Sequence, residues 1–396
     1  METFALTGKR DFWVRCHFGS QTWPFGRLPL ATSRCYFWVS PEAILHERYK
    51  ALDGRMQLSA ARKDTGMKIV QFTRPGPPEV LKYIDAPVPE PNTGEVLVRA
   101  HSIGVGMPDT RIRAGAYPWM PSLPCIPGTE MGGVIEKVGP GVTSRKVGDR
   151  VMVSARERSQ RGGCYAEFIA TPADGTYVLP PHVSFDAAAS LANYQVAYHL
   201  LRDGARARRG DRLLTYGAAG GMGSALIDLA CAEGIEVIGV VSSASKGEFA
   251  REVGAAHVIN RKAESIAERV AGITGGRGVD IVIDPVGGPS FADNLALIGS
   301  MGIVINYGGL AGRAEGDLLA AMRKHNDKCP AVRTFTIHNF DHRPDDRRAG
   351  MRVLIDMLAA GAIRPRIHGH LHLSEAKTAH EMIERGDVMG KLILTP

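Results

Sequence analysis

Apolar and polar positions alternate in two distinct rhythms along this chain. Between Ile69 and Ala170 the apolar positions come in short β-rich runs: Ile69 to Phe72, Glu95 to Ala100, Gly132 to Val138, Arg150 to Val153 and Tyr165 to Ala170. Pro/Gly punctuation such as RPGPP, PEPNTG, GPGVT and VGDR separates them, which predicts a compact barrel-like domain. Ser184 to Leu201 changes to helical spacing through Phe185, Ala188, Leu191, Ala197, Leu200 and Leu201, and is expected to bridge into a second domain.

From Arg212 the rhythm becomes strand, helix, strand. Leu213, Leu214 and Tyr216 form an apolar run that Gly217, Gly220, Gly221 and Gly223 break. Ala225, Leu226, Leu229 and Ala230 then recur at helical spacing until Gly234, and a second strand runs to Val241. HVIN (257–260), DIVIDPVGG (280–288) and GIVINYGG (302–309) read as further strands, with helices over 263–273 and 289–299. This alternation calls for a doubly wound parallel sheet, an α/β fold of Rossmann type. After Pro330, residues 332–340 read as one more strand, 347–360 as a helix and LILTP as a last strand.

Residues 1–66 have no clear period. They hold three of the four tryptophans (Trp13, Trp23, Trp38) and lack an apolar stretch of signal-peptide length. Glu2, Asp11, Glu42 and Glu47 count against an arginine-rich transit peptide. The working domain is expected to start at Met67, leaving an extension that is either an over-long start or a loosely packed arm. The expected division is the extension 1–66, a catalytic domain 67–190 completed by 330–396, and a nucleotide domain 191–329.

Bulk properties narrow the partners. A net charge of +7 spread over 396 residues, without a long Lys/Arg run, does not suggest nucleic-acid binding. No stretch of about eighteen apolar residues predicts a membrane span. Cys16, Cys35, Cys125, Cys164, Cys231 and Cys329 lie far apart with no CxxC, which fits reduced thiols and a cytoplasmic setting.

The glycine turn opening a helix is built for a pyrophosphate, with Gly217, Ala219, Gly220, Gly221, Met222 and Gly223 as the expected cradle. The second strand ends Val240-Val241-Ser242-Ser243, with no carboxylate to bond a ribose 2′-OH. Ser242, Ser243 and the cations Lys246 and Arg261 therefore point to NADPH over NADH. His368, His370 and His372 share one face of a predicted strand, which reads as a surface or core edge more readily than as a metal site.

Seven motifs together carry a likeness to a known family: IGVGMPDTRIRAGAYP (103–118), IPGTEMGGVIEKVGPGV (126–142), VGDRV (147–151), YAEF (165–168), YGAAGGMG (216–223), VDIVIDPVGG (279–288) and GKLIL (390–394). From Met67 to Pro396 the chain resembles the zinc-free, zeta-crystallin-like quinone oxidoreductases of the medium-chain dehydrogenase/reductase superfamily. The resemblance implies a GroES-like catalytic domain, an inserted Rossmann domain, NADPH and a homodimer. Zinc-dependent relatives carry a Cys at the position of Gly106 and GHE where this chain has Gly128-Thr129-Glu130, so no metal is expected. Tyr117 matches a family tyrosine on the acceptor side, while Gly106 and Arg111 replace the family's Asn and Tyr. Arg111 is then a candidate cation for the acceptor oxygen. Asn193 and Tyr307 fall beside the nicotinamide position, and Val286 and Lys391 complete the expected cofactor contacts. The expected activity is hydride transfer from NADPH to a quinone. Two alternatives stand behind it: reduction of an enone, alkenal or enoyl-thioester C=C bond, and a non-catalytic NADPH-binding protein.

Overall fold

The computed structural model describes residues 66–313 and 315–396, so the extension expected at 1–66 lies almost wholly outside the described residues. The described chain opens with an antiparallel pair, β1 (Gly66–Gln71) and β2 (Lys82–Pro87). The barrel strands follow: β3 (Glu95–Val105), β4 (Glu130–Val138), β5 (Arg150–Ser154), β6 (Phe168–Pro172) and β7 (Thr176–Val178), all antiparallel where they pair. β3 runs well beyond the expected end at Ala100. Its inward residues Val96, Val98, Ile103 and Val105 stay buried while it pairs with β4 on one side and β6 on the other.

A short helix, α1 (Met107–Arg113), leaves the end of β3; no helical period announced it. Its buried residues are Asp109, Thr110, Ile112 and Arg113, so three of the four are polar. The predicted bridge at 184–201 is two helices, α2 (Phe185–Ala188), capped by Ser184, and α3 (Leu191–His199).

The six-stranded sheet is parallel throughout, with β8 (Arg212–Tyr216), β9 (Glu236–Val241), β10 (His257–Asn260), β11 (Val279–Asp284), β12 (Ile298–Asn306) and β13 (Ala331–Thr334). Its order is β10-β9-β8-β11-β12-β13, so the chain reverses direction across the sheet at β8, the switch point where open α/β sheets bind ligands. The covering helices include α4 (Gly221–Ala232), α5 (Ala244–Val253), α6 (Ile266–Thr274), α7 (Asn294–Leu297) and α8 (Leu318–Arg323). The expected helix over 289–299 is a 3-10 turn, Pro289–Asp293, running into the one-turn α7. The strand expected from 302 already begins at Ile298.

The expected strand at 332–340 stops at Thr334. The Thr336 hydroxyl accepts a hydrogen bond from the His338 N–H at 3.3 Å, and the chain winds into a 3-10 stretch, Ile337–His342. Helix α9 (Pro344–Ala359) packs on α3, then β14 (Ile367–His372), α10 (Ala376–Arg385) and β15 (Lys391–Thr395) return to the barrel, where β15 pairs with β3. The seven-stranded barrel sheet thus draws its strands from both ends of the described chain, in the order β14-β15-β3-β4-β5-β7 with β6 on β3. His368, His370 and His372 occupy the exposed face of β14, and His370 bonds Asp186 at 2.8 Å. Among the described residues no cluster of three His, Cys, Asp or Glu is placed to hold a metal ion.

Candidate active site

The glycine turn connects β8 to α4 at the switch point. Gly217 has φ +64°, a left-handed conformation that glycine adopts without a steric penalty. A Cβ on Gly223 would lie 2.3 Å from the Gly217 carbonyl oxygen, so helix and turn approach closer than any other residue allows. At the start of α4 the N–H groups of Gly221, Met222 and Gly223 have no intrahelical acceptor, and the helix dipole adds positive potential there. This glycine cradle fits a dinucleotide pyrophosphate.

The C-terminal segment buttresses the turn. The Gly390 N–H donates to the Ala219 carbonyl at 2.9 Å, and Gly390 bridges Gly220. On the other side, a Cβ on Gly221 would meet Asn193 Nδ2 at 2.6 Å, which puts the Asn193 amide of α3 against the cradle. A second turn follows β11. Both Val286 N–H (2.6 Å) and Gly287 N–H (3.2 Å) donate to one Asp284 carboxylate oxygen, and Asn294 Nδ2 donates to the other at 3.0 Å. The Tyr307 N–H donates to the Asp284 carbonyl at 3.2 Å, so Val286 and Tyr307 are held together at the carboxyl ends of β11 and β12.

At the end of β9, Ser243 caps α5, accepting from the Lys246 N–H at 3.4 Å, with Ser242 half-buried beside it. The Lys246 ammonium is turned away to the Gly386 carbonyl at 2.7 Å. Arg261 is exposed, its N–H bonded to the Val241 carbonyl at 3.0 Å, and its guanidinium has no partner among the described residues. Of the two cations expected near a 2′-phosphate, Arg261 has the freer head group.

Where the two sheets meet, polar groups are buried in contact. Glu130 at the start of β4 is wholly buried and accepts from Lys391 Nζ at 2.5 Å and from the Ala192 N–H at 2.6 Å. Burial pushes its pKa up against the opposing pull of Lys391. A Cβ on Gly106 would be 3.9 Å from Lys391 Nζ, so this ammonium lies beside the position where zinc-dependent relatives have a Cys ligand. Asp109 accepts from the Gly106 N–H (2.9 Å) and the Gly128 N–H (3.3 Å), while burial carries its pKa up to about 7. Lys391, expected to contact a cofactor, is engaged with Glu130.

Tyr117 lies after α1, half-buried, and its hydroxyl is 2.6 Å from His338 Nε2. Arg111, on the same helix, is half-exposed and has no side-chain partner among the described residues. Burial raises the Tyr117 pKa, and the charges of Arg156, just beyond β5, and of Arg161 oppose that rise. Arg156, His338 and Asp341 carry no motif or period. They come together only through folding, from segments about 180 residues apart, which hid them from sequence reading.

The chain matches two families, described as "Alcohol dehydrogenase GroES-like domain" over residues 92–181 and "Zinc-binding dehydrogenase" over residues 253–394. It is 33% identical over 330 residues to a quinone oxidoreductase of Salmonella typhimurium, covering 83% of this chain and 99% of the relative. A quinone oxidoreductase of Rattus norvegicus is likewise 33% identical over 336 residues, covering 83% of this chain and 99% of the relative. The crystal structure of Escherichia coli quinone oxidoreductase complexed with NADPH superposes with a TM-score of 0.76 at 31% identity, covering 83% of this chain and all of that one.

Proposed function

Because the chain belongs to the quinone oxidoreductase family of the medium-chain dehydrogenases/reductases, we propose that it reduces a quinone with NADPH and without zinc. The observation that carries this is the cradle at Gly217–Gly223, placed at the switch point and opening onto the buried face that holds Lys391, Glu130 and Asn193. NADPH supplies a hydride when bound.

The chain's own residues provide the rest. The N–H groups of Gly221, Met222 and Gly223 hold the pyrophosphate. Ser242, Ser243 and Arg261 leave room and positive charge for a 2′-phosphate, with no carboxylate to repel it. Val286, Tyr307 and Asn193 border the path toward the barrel, and Tyr117 stands on the acceptor side. At the positions of the missing zinc ligands, Gly106 and Thr129 offer no soft or imidazole donor, and the nearby cation is Lys391. An acceptor that is already electron-poor needs no Lewis acid, only donors or cations for the oxygen that gains charge.

The open edge of β13 offers a backbone ladder to a second copy, which supports a homodimer. No described helix is long and apolar enough to cross a membrane. The test is oxidation of NADPH and of NADH by the purified protein against a panel of quinones and enones, with elemental analysis of the same sample. Quinone-dependent NADPH oxidation by a metal-free sample is expected. No turnover with any quinone, or turnover lost on chelation, refutes the proposal, and turnover with enones alone transfers it to C=C reduction.

A further inference from the structure

Tyr117, His338 and Asp341 form a chain of hydrogen bonds joining the barrel to the segment after the parallel sheet. Tyr117 lies 2.6 Å from His338 Nε2, and His338 Nδ1 lies 3.0 Å from Asp341 Oδ2. Nδ1 meets both the Asp341 carboxylate, which only accepts, and the Arg161 guanidinium, which only donates, so the ring is held at Nδ1 while Nε2 faces the Tyr117 hydroxyl. Arg161 bonds the same Asp341 oxygen and lies against the His338 ring, while Trp119 stacks on that ring at 3.6 Å. The other Asp341 oxygen is 3.3 Å from Arg347 and 3.9 Å from Arg156. His338 is buried, and burial followed by the Arg161 and Arg156 charges lowers its pKa to about 4, so it is neutral at pH 7.

Arg156 is the second half of the arrangement. Its side chain is 15% exposed, yet its Nη1 is fully buried and makes no hydrogen bond. A buried guanidinium N–H without an acceptor is costly unless something else occupies its donor direction. Arg156 joins the Tyr117–His338–Asp341 cluster through Asp341, 3.9 Å from its Nη1, and its charge acts on the Tyr117 hydroxyl.

We propose that Tyr117 delivers the proton that completes acceptor reduction, that Arg156 binds the acceptor oxygen as it becomes anionic, and that His338 and Asp341 are positioning residues that orient Tyr117 and return its proton. This assignment rests on the proposed quinone reduction. A quinone that accepts a hydride, with its two electrons, becomes a hydroquinone monoanion and leaves NADP⁺. The Tyr117 O–H bond breaks, the proton forms the new hydroquinone O–H bond, and the phenolate electron pair stays on Tyr117. A proton from solvent water then reaches Tyr117 through His338 Nε2, giving one quinone, one NADPH and one proton consumed per hydroquinone and NADP⁺ formed. Burial raises the Tyr117 pKa, which favours its protonated form, and the Arg156 and Arg161 charges oppose that rise while the phenolate exists.

Two readouts test it, one without cofactor or turnover. In the first, p-nitrophenol is titrated with the protein alone, its visible absorbance reporting the bound phenolate. Wild type should lower the bound probe's pKa by about one unit, Arg156→Met should abolish the shift and Arg156→Lys should retain part of it. In the second, steady-state rates with NADPH and a quinone are followed against pH. Tyr117→Phe should lower kcat about a hundredfold with the KM for NADPH unchanged. His338→Gln should lower kcat about tenfold and change the shape of its pH profile, an effect that loss of packing alone does not produce. An unshifted probe pKa in wild type, the same shift in Arg156→Met, or an unchanged kcat in Tyr117→Phe overturns the assignment. If wild type oxidises no NADPH with any quinone, the quinone reading fails by itself, while the probe titration still decides whether Arg156 binds an oxyanion.

Discussion

The Lys391 ammonium lies 2.5 Å from a Glu130 carboxylate oxygen, and the two side chains are 5% and 0% exposed. Removing one partner of such a pair leaves the other charge buried without compensation, whereas replacing both is far less damaging. Lys391→Met is expected to destabilise the protein by about 3 kcal/mol, and the Glu130→Gln/Lys391→Met double variant by clearly less. In the double variant the glutamine carbonyl can still accept from the Ala192 N–H. Urea unfolding followed by circular dichroism measures both. Equal losses in the single and double variants would show that the Glu130 carboxylate left behind by Lys391→Met carries no penalty.

The 2′-phosphate prediction concerns two cations on the same edge. Lys246 bonds the Gly386 carbonyl at 2.7 Å, while the exposed Arg261 has no side-chain partner among the described residues. Arg261→Ala is therefore expected to raise the Kd for NADPH about tenfold, and to leave that for NADH within about twofold, because a charge-assisted contact to the phosphate is lost. Lys246→Ala should weaken NADPH binding less. Fluorescence titration of bound nicotinamide cofactor separates the two, and a larger loss in Lys246→Ala would reverse the assignment.

Much of this architecture is legible along the chain, for a physical reason. The parallel strands are buried on both faces, so LLTY, EVIGVV, HVIN and DIVID appear as apolar runs between helical periods, and HVIN coincides with β10. The glycine cradle is legible because close approach excludes a side chain at Gly223 and a positive φ favours glycine at Gly217. The contacts of the acceptor side are not local. Glu130 and Lys391 are 261 residues apart in sequence, and Tyr117 and His338 are 221 apart. His338 was hidden further by the turn at Thr336, since TFTIHNF alternates like a strand until its hydroxyl-capped 3-10 turn is seen. Lys246, expected near a 2′-phosphate, bonds the Gly386 carbonyl just after α10, a partner that sequence spacing does not show.

A buried histidine sets a pH dependence of stability. His380 on α10 is 0% exposed; its Nε2 is 3.1 Å from the Tyr165 hydroxyl and its Nδ1 has no partner. Burial, assisted by the nearby Arg113 charge, lowers its pKa to about 3. In the unfolded chain a histidine titrates near about 6.5, so between the two values the unfolded state binds the extra proton. Its contribution to stability is complete above about pH 6.5 and is lost progressively as the pH falls toward 3, reaching about 2 kcal/mol of loss by pH 5. Asp109, raised to about 7, acts in the opposite sense, its contribution fading as pH rises from its unfolded value to 7. The comparison must therefore be made between wild type and a His380→Phe variant. That variant should be less stable at pH 7 by about 1 kcal/mol, because the Tyr165 hydroxyl loses its partner, yet should lose less stability between pH 6.5 and 5. Urea midpoints across that range measure it, and parallel curves for the two proteins would show that His380 is not the titrating group.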